Sequence, residues 1–136
     1  MFLGGDKTSV LLEKSLNVSA LRYEVIANNL ANIDTPGFKK SYVVFEEILQ
    51  DALENKKSIS IRRTHPGHFG ISDRIEEIQP RVEKDTQTSL RLEGNNVDIE
   101  DEMIQLVMNS VNHNFAVQRL NSKLAAMRYV ISDGRG

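Results

Sequence analysis

Ala27-Asn28-Asn29-Leu30-Ala31-Asn32-Ile33-Asp34-Thr35-Pro36-Gly37-Phe38 is the stretch on which the organisation of this chain turns. To its left an apolar pattern of helical period extends back to Lys7; to its right the pattern stops. Leu30 and Ile33 still belong to the apolar stripe. Asn32 and Asp34 carry short side chains that compete for backbone hydrogen bonds, which weakens a helix interior and favours its end. Pro36 drives Thr35 out of the α region. Pro36-Gly37 fits the central positions of a type II turn, where Gly accepts positive φ without strain. A helix that ends in a specified turn is expected here. Asn28, Asn29 and Asn32 either tie that helix end to its surroundings or lie in water at an exposed terminus. Asn29 flanks the stripe most closely, so burial is expected first at this position.

Working leftward, Leu12, Leu16, Ser19, Tyr23, Ile26, Leu30 and Ile33 recur at alternating steps of four and three. That is the a/d seam of a coiled coil over roughly three heptads. A helix from Lys7 to Ile33 would be about 40 Å long. Leu11, Val18 and Val25 form a second apolar row. Working rightward, Phe45, Ile48, Leu49, Ala52 and Leu53 mark a short amphipathic helix. The alternation in Ser58-Ile59-Ser60-Ile61-Arg62 and in Ser89-Leu90-Arg91-Leu92-Glu93 suggests a small β-hairpin between these segments. Ile75, Ile78 and Val82 share a helical spacing that Pro80 interrupts.

Gly94-Asn95-Asn96 punctuates the chain a second time. Asp98 suits an N-cap, and Glu100, Asp101 and Glu102 place negative charge on a first helical turn, where the dipole favours it. A long helix is expected from there to about Ser132, with Met103, Leu106, Ser110, His113, Val117, Leu120, Leu124, Met127 and Ile131 as its seam. Lys123 and Arg128 lie towards its C-terminal end, where the dipole favours cations. Ser19, Ser110 and His113 interrupt the seams; they either set register between helices or face solvent where the helices diverge. Val107 and Val111 form a spare row, so each long helix has apolar surface for more than one partner.

The expected fold is mainly α. Long N- and C-terminal helices pair as a coiled coil or bundle around a small mixed insert of one short helix and a hairpin. The organisation is 1–38 (helix and Asn/Thr-Pro-Gly joint), 39–93 (insert) and 94–136 (C-terminal helix), one domain in all.

The chain has 136 residues, 40% hydrophobic and 26% charged, with a formal net charge of -2. The charge disfavours nonspecific nucleic-acid binding, which needs a cationic face. No apolar run is long enough for a membrane span. Met1 to Lys14 lacks the layout of a cleaved signal, so an exported form of this chain is expected to use another route. Cysteine is absent, which excludes thiol chemistry, disulfides and cysteine metal sites. No phosphate-cradling Gly loop, nucleophile elbow or His-Glu-x-x-His helix is present. His65 and His68 sit in a Pro-Gly turn with no third ligand nearby, which makes a metal-dependent hydrolase the weakest of the functional readings. No cofactor, metal or catalytic residue is expected.

Val25-Ile26-Ala27-Asn28-Asn29-Leu30-Ala31-Asn32-Ile33-Asp34-Thr35-Pro36-Gly37-Phe38 resembles the N-terminal signature of bacterial flagellar rod and hook proteins. Gly94-Asn95-Asn96-Val97-Asp98-Ile99-Glu100-Asp101-Glu102-Met103 resembles the start of the C-terminal helix in the short proximal-rod members of that family. Phe45 soon after the turn and Thr64-His65-Pro66-Gly67-His68 fit the same group. The resemblance covers both terminal helices and their joints, about half the chain. It implies a self-assembling, non-catalytic structural subunit of the periplasm-spanning rod, with Asn28 to Phe38 and Gly94 to Asp98 as assembly joints. It implies export through the flagellar type III apparatus without a cleaved signal, with Phe45 and Leu49 in a segment read at the export gate. The partners implied are further copies, other rod subunits, the base-ring adaptor and the export apparatus; nucleic acid and membrane insertion are not implied. The competing reading is a soluble helical adaptor or chaperone that binds a partner's amphipathic helix.

Overall fold

The computed structural model describes residues 6–54, 75–87 and 91–133. Two helices dominate, α1 at Lys7–Ala31 and α3 at Ile99–Asp133. Between them come strand β1, Ser41–Val44, helix α2, Glu46–Glu54, and strand β2, Arg81–Lys84. α1 ends two residues earlier than its apolar stripe predicts. The reason is Asn32, whose backbone N–H and side-chain Nδ2 both donate to the Asn28 carbonyl, the latter at 2.8 Å. That closes the helix before Ile33 can join it.

α1 and α3 run antiparallel, and four contacts fix their register. Lys123 Nζ donates to the Asp6 carboxylate at the start of α1. Asn109 Nδ2 donates to the Ser19 carbonyl at 2.9 Å, and Tyr23 OH to Ser110 Oγ at 2.8 Å. Asn29 Nδ2 donates to Glu102 Oε2 at 3.1 Å. Lys123 therefore serves an ion pair with Asp6 rather than the end of its own helix.

The seam differs from the one the apolar pattern predicts. The buried residues of α3 are Glu102, Asn109 and Ala116, seven apart, with Leu106 and His113 half-buried between them and Leu120 half-buried beyond. The expected row of Met103, Ser110, Val117 and Leu124 lies one residue further on, about 100° around the helix. Met103 and Met127 are exposed; Val117 and Leu124 are half-buried. Leu106, His113 and Leu120 of the expected seam are kept, and Ser110, Val117 and Leu124 lie at its edge, while small and hydrogen-bonding residues take the fully buried positions and let the helix axes approach. On α1, Ile26 is buried, while Leu12, Leu16, Tyr23, Leu30 and the residue past its end, Ile33, are half-buried.

The middle of the second apolar row of α1 is covered from within. Val18 packs with Phe45 and Ile78 in a core flanked by Val43, Ile48, Leu49 and Ala52. So α2, β1 and the segment before β2 close over Val18 on the back of α1, while Leu11 stays half-buried and Val25 borders an open cleft. Residues 75–77 form a helical turn that Pro80 separates from β2, and Ile75 is buried.

The insert carries a two-stranded ribbon as expected, but other segments form the strands described. β1 pairs antiparallel with β2, with Ser41 opposite Lys84 and Val44 opposite Arg81. Ser58–Arg62 and Ser89–Leu90, proposed partners of a hairpin, lie outside the described residues, and Arg91 to Glu93 form a bend and turn. β2 is mostly exposed, with a charge on either side of Val82, so it carries no alternation to read. His65 and His68 also lie outside the described residues; among those described, no group of His, Asp or Glu is arranged to hold a metal.

Candidate assembly joint

The end of α1 and the start of α3 lock together through side-chain amides that bind backbone. Phe38 N–H donates to the Thr35 carbonyl at 3.2 Å, with Pro36 and Gly37 between them and Gly37 at φ +72°. That is the positive φ a type II turn demands at its third residue. The Gly37 N–H donates across to the Glu93 carbonyl at 2.7 Å, next to Gly94, itself at φ +78°. A Cβ on Gly94 would stand 3.7 Å from the Gly37 Cα, an ordinary contact. Conformation rather than space therefore demands glycine at both.

Asn95 is fully buried, at 0% exposure. Its Nδ2 donates to the carbonyls of Asn32, Ile33 and Thr35 at 2.8–2.9 Å, and its Oδ1 accepts from the Val97 N–H. One side chain thus gathers three carbonyls where α1 ends, adding to the bonds that the Asn32 and Thr35 carbonyls accept from the Thr35 and Phe38 N–H groups and that the Ile33 carbonyl accepts from Arg91. Asn96 does the same for the chain leaving the turn. Its Oδ1 accepts from the Lys40 N–H at 2.7 Å, its Nδ2 donates to the Asp85 carbonyl, and its own N–H reaches the Phe38 carbonyl. Asn29, 1% exposed, pairs with the Ser41 backbone in both directions, as a strand residue would, and also meets Glu102.

Asn32 accepts from Thr35 Oγ1 at 3.1 Å and so stiffens the turn. Asn28 takes part through its carbonyl. Asn28, Asp34, Thr35 and Pro36 are exposed, and Phe38 is half-buried. Asp98 caps α3, its Oδ1 accepting from the Glu100 N–H at 2.9 Å. Asn29, Asn32, Asn95 and Asn96 therefore converge on one knot, while Asn28 and Asp34 stay at its surface. The part played by Asn95 could not be read in advance, because its partners lie some sixty positions away.

Charge reinforces the knot. Lys39 Nζ donates to the Gly94 carbonyl at 2.6 Å, and Lys40 Nζ pairs with Asp101 at 3.0 Å. Burial works against the charge on Lys40, but Asp101, with Glu102 and Asp85 behind it, outweighs burial and holds the ammonium above its usual pKa. Burial pushes the Glu102 carboxyl up, against the pull of the Asn29 bond and of Lys40. Beside the knot, α1, β1 and α3 border an open cleft of about 470 Å³, with Val25, Ile26, Val43 and Met108 on its walls and Asp85 and Asn109 among its polar lining.

A family model described as "Flagella basal body rod protein" matches residues 15–39, from the middle of α1 through the turn. A FlgB rod protein of Bacillus subtilis is 33% identical over 91% of this chain and 92% of its own. FlgB of Borrelia hermsii is 35% identical over 74% of this chain and 78% of its own, and FlgB of Aeromonas hydrophila 30% over 93% and 94%. The chain belongs to the flagellar basal-body rod proteins, in the FlgB group. It is a structural subunit of the basal-body rod, and the adaptor or chaperone reading finds no support among its relatives. The rod-protein match contains Asn29, Asn32 and Gly37 but stops before Asn95 and Asn96, which complete the knot from the other end of the chain. No described helix of this rod protein is long and apolar enough to cross a membrane.

Two further features of the subunit concern its helix pair. Ile104, Val107, Met108, Val111 and Phe115 follow helical spacing along the outward side of α3, and all are exposed. Inside the pair, Ser9 Oγ, Asn109 Oδ1 and His113 Nδ1 are buried without a hydrogen-bond partner. His113 meets the edge of Tyr23, with ring centroids 6.1 Å apart.

Proposed function

We propose that the chain builds the proximal rod by packing α1 and α3 side by side with further copies and with other rod subunits. In this reading the three parts of the chain, 1–38, 39–93 and 94–136, act as helix, spacer and helix. The observation that carries it is the outward row Ile104, Val107, Met108, Val111 and Phe115, with Phe115 63% exposed. A row this long on one helix face is what lateral helix packing buries. The asparagine knot holds the angle between the helix pair and the insert, so torque would pass through a stiff connection. The subunit has no catalytic role, cofactor or nucleic-acid partner and does not insert into membrane. It stands in the periplasmic part of the basal body, next to the base-ring adaptor, and reaches that place through the type III export apparatus without a cleaved signal.

Phe45 and Leu49 serve as the segment read at the export gate. Phe45 is buried against Val18 and Ile78, so the gate would read it only in a chain whose insert is open. The test of assembly is the pair Val111→Glu and Phe115→Glu. Sedimentation and electron microscopy should find folded monomers that no longer join rods, and cells carrying the pair should not swim. Normal rod yield and motility would overturn the reading.

A further inference from the structure

We infer that the C-terminal overhang of α3 docks into the cleft beside the joint of a second copy of this chain. The inference deepens the self-assembly proposed above and rests on it.

Asp6, at the start of α1, pairs with Lys123. Residues 124–133 therefore continue beyond that end of α1, a projection of about 15 Å. Met127, Val130 and Ile131 lie on one face of it at helical spacing, and all three are exposed. Arg128, also exposed, flanks that face. The cleft sits at the opposite end of the helix pair. Met108 on its wall and Val130 on the overhang are about 30 Å apart along one straight helix, so the overhang cannot reach its own cleft.

The cleft suits this occupant. Val25, Ile26, Val43 and Met108 offer apolar wall for Met127, Val130 and Ile131. The two cations that line it are already paired, Arg22 with Glu46 at 2.6 Å and Lys40 with Asp101 at 3.0 Å. Asp85 leaves surplus negative charge there for Arg128. A contact that joins one end of a subunit to the other end of the next is heterologous and does not close on itself, so it propagates as an open filament.

The absence of cysteine makes the test clean. Full-length Tyr42→Cys and Val130→Cys chains are mixed at high concentration and treated with a short bismaleimide. The expected product is a mixed dimer, with little homodimer from either chain alone, and a ladder of higher multimers from the doubly substituted chain. Arg128→Glu should lower the mixed yield about two- to fivefold, the range of one exposed ion pair, and Asp85→Arg in the receiving chain should restore it. Homodimers of Val130→Cys would overturn the inference, because overhangs would then pair with each other. So would protection of the overhang from hydrogen exchange in dilute monomer, which would mean that the chain covers this face itself. Absence of any cross-link overturns it too. If light scattering still finds the parent chain associating, lateral assembly stands and only this contact fails; if it finds none, both fail.

Discussion

The two sides of α3 invert the usual rule for soluble helices. The side that meets α1 fully buries only Glu102, Asn109 and Ala116, a carboxylate, an amide and a methyl group, with Leu106, His113 and Leu120 half-buried beside them. The side that meets water shows Ile104, Val107, Met108, Val111 and Phe115. Hydrogen bonds to Ser19, Tyr23 and Asn29 give the inner side a single register but little hydrophobic energy. Completing the burial of the outer residues would contribute about 1 kcal/mol each, energy the isolated subunit does not use. The difference teaches that specificity within the chain and affinity between chains are assigned to opposite faces of one helix.

The strongest way to break that comparison lies at the knot closing the inner side. Asn95→Ala leaves the buried Val97 N–H without its acceptor and takes one donor from each of three carbonyls that keep another, and is expected to cost about 2–3 kcal/mol in urea unfolding, since a buried group left unpaired costs about 1–3 kcal/mol and a lost bond about 1 kcal/mol. A shift under 1 kcal/mol would mean that water replaces the amide and the knot is not needed. Gly37→Ala should cost about 1–2 kcal/mol, because its φ of +72° strains any residue with a Cβ. An unchanged thermal midpoint would show that the turn relaxes to another type.

Asn109→Leu separates register from stability. It removes a buried acceptor without a partner, so the unfolding free energy should stay level or rise by up to about 1 kcal/mol. Amide resonances along α1 and α3 should then multiply as the helices sample other registers; one sharp set would show that Asn109 does not choose the register. Phe115→Ser on the outer side should move monomer stability by less than about 0.5 kcal/mol, as for other exposed positions. A larger loss in urea would show that this face is packed within the monomer.

The smallest effect concerns pH. Burial holds the Glu102 pKa above its ordinary 4.5 in the folded chain. Between that ordinary value and the raised one, the folded state binds more protons than the unfolded state, so this group's contribution to stability falls as pH rises through the window. Above the window the penalty of a buried carboxylate stays in place. Glu102→Gln should remove this slope while its side-chain oxygen still accepts from Asn29. A parent chain that gains stability on moving from mildly acidic to neutral pH relative to this variant would contradict the assignment.

Helix periodicity made α1 and α3 legible to within two residues, and the amide-rich turn at Pro36-Gly37 announced where α1 stops. The partner of each apolar row was not legible. A stripe says that a face must be buried but not by what, and here the more apolar row of α3 points outward while Val18 of α1 is covered by Phe45 and Ile78. The mixed run from Phe38 to Val44 reads as extended, but its partner β2 escaped notice because Arg81, Glu83 and Lys84 surround a lone Val82, and the ribbon's order comes from backbone pairing and from Asn96 holding Lys40 and Asp85. At the knot, Asn29 could be singled out by its position beside the seam. Asn95 is marked only as part of the Gly94-to-Asp98 joint that the family resemblance implies; its bonds could not be foreseen, because its partners are distant carbonyls.

Those partners have a consequence for how the subunit tolerates change. Asn95, Asn96 and, at Ser41, Asn29 grip main-chain atoms, which every residue supplies whatever its side chain. Neighbouring positions such as Ile33, Thr35 and Ser41 can therefore be replaced without loosening those bonds, while the asparagines themselves have no equivalent substitute. Single-site saturation across the knot should map as a few intolerant positions set in permissive ground, the pattern of a clasp that holds the cord and ignores its colour.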